Sequence, residues 1–197
     1  GVGRCVTAII FEHTMAFTSF SRMLLIAASV CLAACTTTST LSSKVALDSD
    51  AKWAILPLEN HTDTPQSALS AEAIAEQLLR ARGVTNIARY PATLTRDTLF
   101  EPTERRTVDD AKKWAREQGV QYGLTGAVEE WRYKVGIDGE PAAGVTLQLV
   151  DMESGQVVWS ASGAKSGWSR DSLSGVGQKL MAELLGSVRL VSKNGTR

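Results

Sequence analysis

The chain is 197 residues long, and its 21 Lys and Arg balance 21 Asp and Glu. A formal charge of zero excludes the basic excess that a nucleic-acid-binding surface requires. Its three cysteines, Cys5, Cys31 and Cys35, all lie near the beginning, so the body of the chain can form neither disulfides nor thiolate metal sites.

The first predicted element is an export signal. In "SRMLLIAASVCLAACTTTSTLSS", residues 21–43, Arg22 supplies a positive start and Met23 to Leu32 an apolar run. That run is shorter than the roughly 20 residues a bilayer span needs. Small residues then lead into Cys35, and the three features together mark a cleaved signal rather than a membrane helix. The "LAAC" ending resembles a bacterial lipobox. It implies cleavage before Cys35 and acylation of its thiol and new amino group, with no other cofactor expected. The competing reading is an ordinary signal peptide cut nearby, with Cys35 left free. Several acyl chains, each contributing about 0.8 kcal/mol per buried CH₂, give stable anchoring. Thr36 stands where lipoproteins retained at the inner membrane often carry Asp. Resemblance therefore implies the periplasmic face of the outer membrane.

The sequence does not open on methionine. Met15 or Met23 is a candidate start, and residues 1–22 are left out of the fold reading. Removing residues 1–34 takes away Arg4, Arg22 and Glu12, which leaves a net charge of −1. Residues 35–50 read as the lipidated cysteine and a flexible tether, because the Ser/Thr-rich run from Thr36 to Ser43 cannot bury itself. What remains suits one domain with its own core, over 51–190, followed by a frayed tail at 191–197.

"KWAILPL" (52–58) is predicted as a buried strand ended by Pro57. After the turn "NHTDTP", Thr64 is predicted to cap a helix with Pro65 at its first position. Ala71, Ile74, Ala75, Leu78 and Leu79 form one apolar stripe. Arg80 and Arg82 suit the last turn's dipole, and Gly83 stops the helix. "VTNIARY" reads as a second strand and residues 91–106 as a loop. Thr107, with Asp110 three residues on, resembles a capping box for a second helix. There Val108, Ala111, Trp114 and Ala115 face inward, and Gly119 ends it. Three strands follow, "YGLTGAVEEWRYKV" (122–135), "GVTLQLVD" (144–151) and "QVVWSASG" (156–163), joined as a meander. A last helix starts near Ser169 or Asp171 and carries Leu173, Val176, Leu180, Met181, Leu184 and Val188. The order βαβαβββα defines an α/β domain, a mixed β-sheet flanked by helices.

No catalytic set emerges from the spacing. His61 lies in a turn, where a surface role fits better than catalysis, since no Ser or Cys partner is marked. Asp109 and Asp110 occupy a first helical turn, where carboxylates complement the dipole. Glu129 and Glu130 are adjacent on a strand and point to opposite faces unless a bulge intervenes. "GVGQK" lacks the strand and spacing of a phosphate-binding loop. No His/Asp/Glu cluster has metal-ligand spacing, so the sequence argues against an enzyme. A glycan-processing enzyme is therefore the weakest of three functional readings.

Several runs carry a resemblance. "AILPLENHTDTPQ", with its "LP-x-x-N-x-T" pattern, "QGVQYGLTGAVEEW" and "LQLVDMESGQVVWSASG" resemble the CsgG/LpoB-like group of periplasmic lipoprotein domains. "AEQLLRARGV", "WRYKVGIDGEPA" and "SGAKSGWSR" are most similar to its branch in Pel exopolysaccharide export, a biofilm polymer system. The likeness covers most of residues 52–185. It implies a non-enzymatic, homo-oligomeric ring of twelve copies beneath the outer membrane, acting by position and electrostatics. An aromatic from each copy would seat the ring in lipid, and that aromatic falls at Trp168. Indole favours the membrane–water interface; the competing reading packs Trp168 on its own last helix. Arg170 would meet lipid phosphates or a neighbouring carboxylate. An acidic funnel would guide a cationic amino-sugar polymer to the PelB export barrel. Asp138, Glu140, Asp109 and Asp110 are candidates for it, and plain solvated acids are the alternative. Trp53, Trp114, Trp131 and Trp159 are assigned to the core or to subunit interfaces. The rival reading within the group is an LpoB-like activator of a peptidoglycan synthase, against which the short tether counts.

Overall fold

The structure is a computed structural model that describes residues 37–41, 46–91, 103–136 and 139–193, with the backbone alone for 37–41 and 103–106. Cys35 and Asp138 lie outside the described residues. In chain order the strands are β1 (Thr37–Leu41), β2 (Leu47–Asp48), β3 (Trp53–Asn60), β4 (Ile87–Arg89), β5 (Tyr122–Tyr133), β6 (Pro141–Asp151), β7 (Val157–Ser166) and β8 (Leu190–Val191). The helices are α1 (Ser67–Ala81), α2 (Thr103–Glu117) and α3 (Leu173–Gly186). Six strands form one sheet in the order β1-β7-β6-β5-β3-β4. β3 runs parallel to β4 and β5, and β5, β6 and β7 form the antiparallel meander. The predicted βαβαβββα order is present as the body of this mixed α/β fold, with β1, β2 and β8 added.

The strand alternation sends side chains to two cores. On one face Trp53, Ile55, Leu124, Leu147, Leu149 and Trp159 meet the α1 stripe of Ala71, Ala75 and Leu79 and the α3 stripe of Leu180, Met181 and Leu184. On the other face Ala54, Leu56, Val150 and Met152 meet Ala111 and Ala115 of α2. Trp114 closes that smaller core by an edge-on contact with Tyr90, ring centroids 5.5 Å apart. α3 approaches the sheet closely because Gly177 has no side chain. A Cβ there would lie 2.1 Å from the Trp131 ring.

Six local expectations need correction. β3 does not end at Pro57 but runs on to Asn60, with a register shift between Ile55 and Leu58. A bulge is the one place a central strand tolerates proline. The irregularity frees the Leu58 amide, which donates to Glu72 Oε1 at 3.0 Å; burial holds the Glu72 carboxyl above its ordinary range. Thr64 is not the cap of α1. Gln66 holds that position in the left-handed region, φ 61°, while the Thr64 hydroxyl donates to the Trp131 carbonyl. α2 starts at Thr103, four residues before Thr107, because "TERR" is good helix-forming sequence and extends the helix beyond the capping-box pattern.

Arg82 serves a different helix from its own. Its guanidinium donates to the carbonyls of Leu185 and Val188, the latter at 2.6 Å, and so caps the end of α3. The run read as a tether contains β1, which pairs antiparallel with β7, Thr37 opposite Ala164 and Leu41 opposite Ser160. β-branched threonines suit a strand, and the β7 edge offers a row of unpaired amides and carbonyls. The tail is not frayed at its start, since β8 pairs in parallel with β2, whose Leu47 is buried in the larger core.

Candidate functional site

Two features stand at the end of the sheet where β3, β5 and β7 finish. The first is a cleft of about 660 Å³ bounded by residues 61–64, Glu129–Arg132 of β5 and the adjoining parts of β6 and β7. The turn after β3 is built on Asn60. Its Oδ1 accepts from the Thr62 amide at 3.0 Å, the Thr62 hydroxyl at 2.8 Å and the buried Ser67 hydroxyl at 2.7 Å. Its Nδ2 donates to the Thr64 carbonyl at 3.0 Å. An Asn that bonds its own following backbone fixes a turn with no apolar burial. The His61 amide donates to the Val128 carbonyl at 3.0 Å, which carries the turn onto β5.

A bulge then decides the charges. The β5–β6 register shifts between Val128 and Glu130, which takes Glu129 out of the ladder. Glu129 Oε2 lies 2.9 Å from His61 Nδ1, and Glu59 Oε2 lies 3.1 Å from His61 Nε2. Glu130 is occupied by Arg132, whose Nε donates to it at 3.0 Å. Hydrogen bonding to Glu129 and then to Glu59 holds the His61 ring above its ordinary pKa, against the smaller opposing effect of burial. The two carboxylates bind opposite edges of the imidazole and so cannot share one ion through it. Among the described residues no three His, Cys, Asp or Glu side chains are grouped to hold a metal.

The second feature is apolar. Trp168 is 76% exposed on the loop between β7 and α3. Around the same end Tyr133 and Val135 of the β5–β6 hairpin and Leu69 of the first turn of α1 are also exposed. The loop is locked. Asp171 Oδ2 accepts from the Trp168 amide at 2.9 Å, and the Asp171 amide donates to the Trp168 carbonyl at 2.8 Å. The Gly167 amide donates to the Pro141 carbonyl at 2.8 Å, and a Cβ on Gly167 would meet Val176 at 2.5 Å. Tyr133 is tied to the start of α3, its hydroxyl oxygen accepting from the Leu173 amide at 3.1 Å. The indole is thus held outward and is not packed into its own last helix. Among the described residues no helix is long and apolar enough to cross a membrane.

The residues singled out from sequence do not converge. Arg170 is exposed two residues beyond Trp168. Asp109 and Asp110 are exposed on α2. Glu140 is half-buried near the β5–β6 hairpin, where its carbonyl accepts from the Lys134 amide at 2.7 Å. The acids the fold does bring together are Glu59 and Glu129, 70 positions apart in the sequence. Only the parallel pairing of Glu59 with Ala127 and Asn60 with Val128 makes them neighbours. Sequence reading had one clue, the proviso that a bulge would change where Glu129 and Glu130 point. Trp53, Trp131 and Trp159 are all core residues.

Fold and sequence together define the class: the chain belongs to the family described as peptidoglycan-synthase activator LpoB, whose model matches residues 55–164. The more detailed similarity is to PelC of Paraburkholderia phytofirmans, solved as a dodecamer. It is 40% identical over 80% of this chain and 100% of that one, with a TM-score of 0.68. A point variant of the same dodecamer in another crystal form gives 41% identity, with the same coverage and TM-score. No curated protein sequence matches the chain. The family is one of synthase activators rather than synthases, and the chain is not an enzyme. The dodecameric state of the two PelC structures supports homo-oligomerisation.

Proposed function

We propose that this protein is a lipoprotein of the outer membrane, anchored through acylated Cys35 on the periplasmic face. Its copies form a ring that guides a cationic exopolysaccharide, the Pel polymer, to the PelB export barrel. The observation that carries this reading is the 40% identity to PelC across the whole of that dodecamer-forming chain. The geometry of the apolar end supports it. Thr37 pairs with Ala164, four residues before Trp168, and Cys35 stands two residues before Thr37 in sequence. Acyl chains on Cys35, together with the exposed rings of Trp168 and Tyr133, would hold the domain at the bilayer. Arg170, next to them, meets lipid phosphates.

The ring works by electrostatics. One net negative charge per chain beyond residue 34 is modest, but a closed ring repeats each acid and focuses the field inside it. Asp109, Asp110, Asp138 and Glu140 are the candidates from sequence, and the fold adds the acidic cleft. The family match favours a second reading, activation of a peptidoglycan synthase. That role calls for a long reach across the periplasm, and the pairing of residues 37–41 with β7 shortens the reach further. Deleting the gene in its host separates the two. Loss of secreted cationic polysaccharide, with wall synthesis unchanged, is the expected result; a wall defect with normal polymer secretion would establish the activator.

A further inference from the structure

We propose that His61 is a proton-dependent staple between the turn that follows β3 and the bulge of β5. Its ring lies between two acceptors, with Nδ1 2.9 Å from Glu129 Oε2 and Nε2 3.1 Å from Glu59 Oε2. An ionised carboxylate only accepts, and a neutral imidazole offers one N–H and one lone pair. Both contacts are hydrogen bonds together only when the ring carries its second proton. Loss of that proton sets one nitrogen lone pair against a carboxylate oxygen. The charge of the three groups then goes from −1 to −2, and one glutamate is released towards solvent.

The surroundings favour the protonated ring. From β3 comes Glu59; from β5 come Glu129 and Glu130, the latter neutralised by Arg132 at 3.0 Å. Asp63 of the turn lines the same cleft. Lys112 of α2 lines a smaller hollow with Glu59 and Glu129. Glu129 contributes most to raising the His61 pKa, and Glu59 comes next. The backbone of the turn does not depend on the proton, because Asn60, Ser67 and the Val128 carbonyl hold it independently. What the proton controls is the tie between Glu59 and Glu129 and the charge presented to the cleft.

The linkage has a definite sign. A histidine whose folded pKa is raised adds stability that is complete below its unfolded value near 6.5 and is lost as pH rises through the folded value. The staple is therefore closed in mildly acidic medium and opens towards alkaline pH, where the cleft is most negative. None of this depends on what the assembled protein carries.

The test is a nitrogen-15 NMR titration of the histidine rings in the full chain between about pH 5 and 9, a range that spans ordinary histidine titration. The His61 signal is identified by its loss in His61→Gln, which separates it from His13. We expect a midpoint above about 6.5, with both ring nitrogens protonated below it. Glu129→Gln should lower the midpoint by about half a unit to one unit, and Glu59→Gln by less. A midpoint at or below about 6.5 in the unsubstituted chain, or one that neither substitution moves, would overturn the staple. The unsubstituted titration decides the matter alone if either variant fails to fold, and it is indifferent to polymer export.

Discussion

Trp131 and Trp168 lie at the same end of the sheet and meet opposite environments. Trp131 is 5% exposed and sits over Gly177, on the α3 side of the sheet. Trp168 is 76% exposed, on a loop whose backbone is fixed at both ends of the Trp168–Asp171 segment. The β5 bulge sets which face Trp131 takes, and the Asp171 bonds set where Trp168 projects. Burial is thus decided by the backbone each ring rides on, not by the ring itself. A locked, outward indole beside exposed Tyr133 and Val135 has no place in this domain's own core. The proposed function gives it the lipid interface, which suits an indole.

Substitutions can break or sharpen that contrast. Trp131→Ala removes a buried aromatic and leaves a cavity under α3, so chemical denaturation should show a loss of about 3–5 kcal/mol. Arg82→Met keeps the apolar stem but removes the donors that cap α3, and should cost about 1–2 kcal/mol in the same assay. An unchanged Arg82→Met variant would mean that solvent caps α3 equally well. Trp168→Ala should change stability by no more than about 0.5 kcal/mol while reducing the fraction of protein that floats with phospholipid vesicles. A large stability loss at Trp168 would erase the distinction between the two rings.

What could be read from the sequence was whatever rested on local periodicity. The α1 stripe of Ala71, Ala75 and Leu79, the meander and the stop at Gly83 are all present, because helix and strand periods and a positive φ of 96° are encoded residue by residue. Misreadings arose where a distant partner decides. Thr64 resembles a helix cap but is claimed by the Trp131 carbonyl, 67 positions away. Pro57 resembles a strand end, yet the sheet absorbs it in a bulge. Residues 37–41 have no apolar pattern, and only the free edge of β7 makes them a strand. The tail pairs because β2 lies beside it. For the site the division is the same. Trp168 lay in the run "SGAKSGWSR" that carries the resemblance, while the Glu59–His61–Glu129 cluster needed the β3–β5 register and an irregularity in β5, neither of which leaves a trace in composition.

The central claim is that the protein acts as a closed assembly of its own copies, held at a membrane by one end. Native mass spectrometry of the protein as its host processes it, released from host membranes in mild detergent, tests it most directly. A single closed species of about twelve copies, matching the dodecamer of its PelC relative, is the predicted result. Monomers alone, at every concentration and in every detergent that keeps the chain folded, would contradict it.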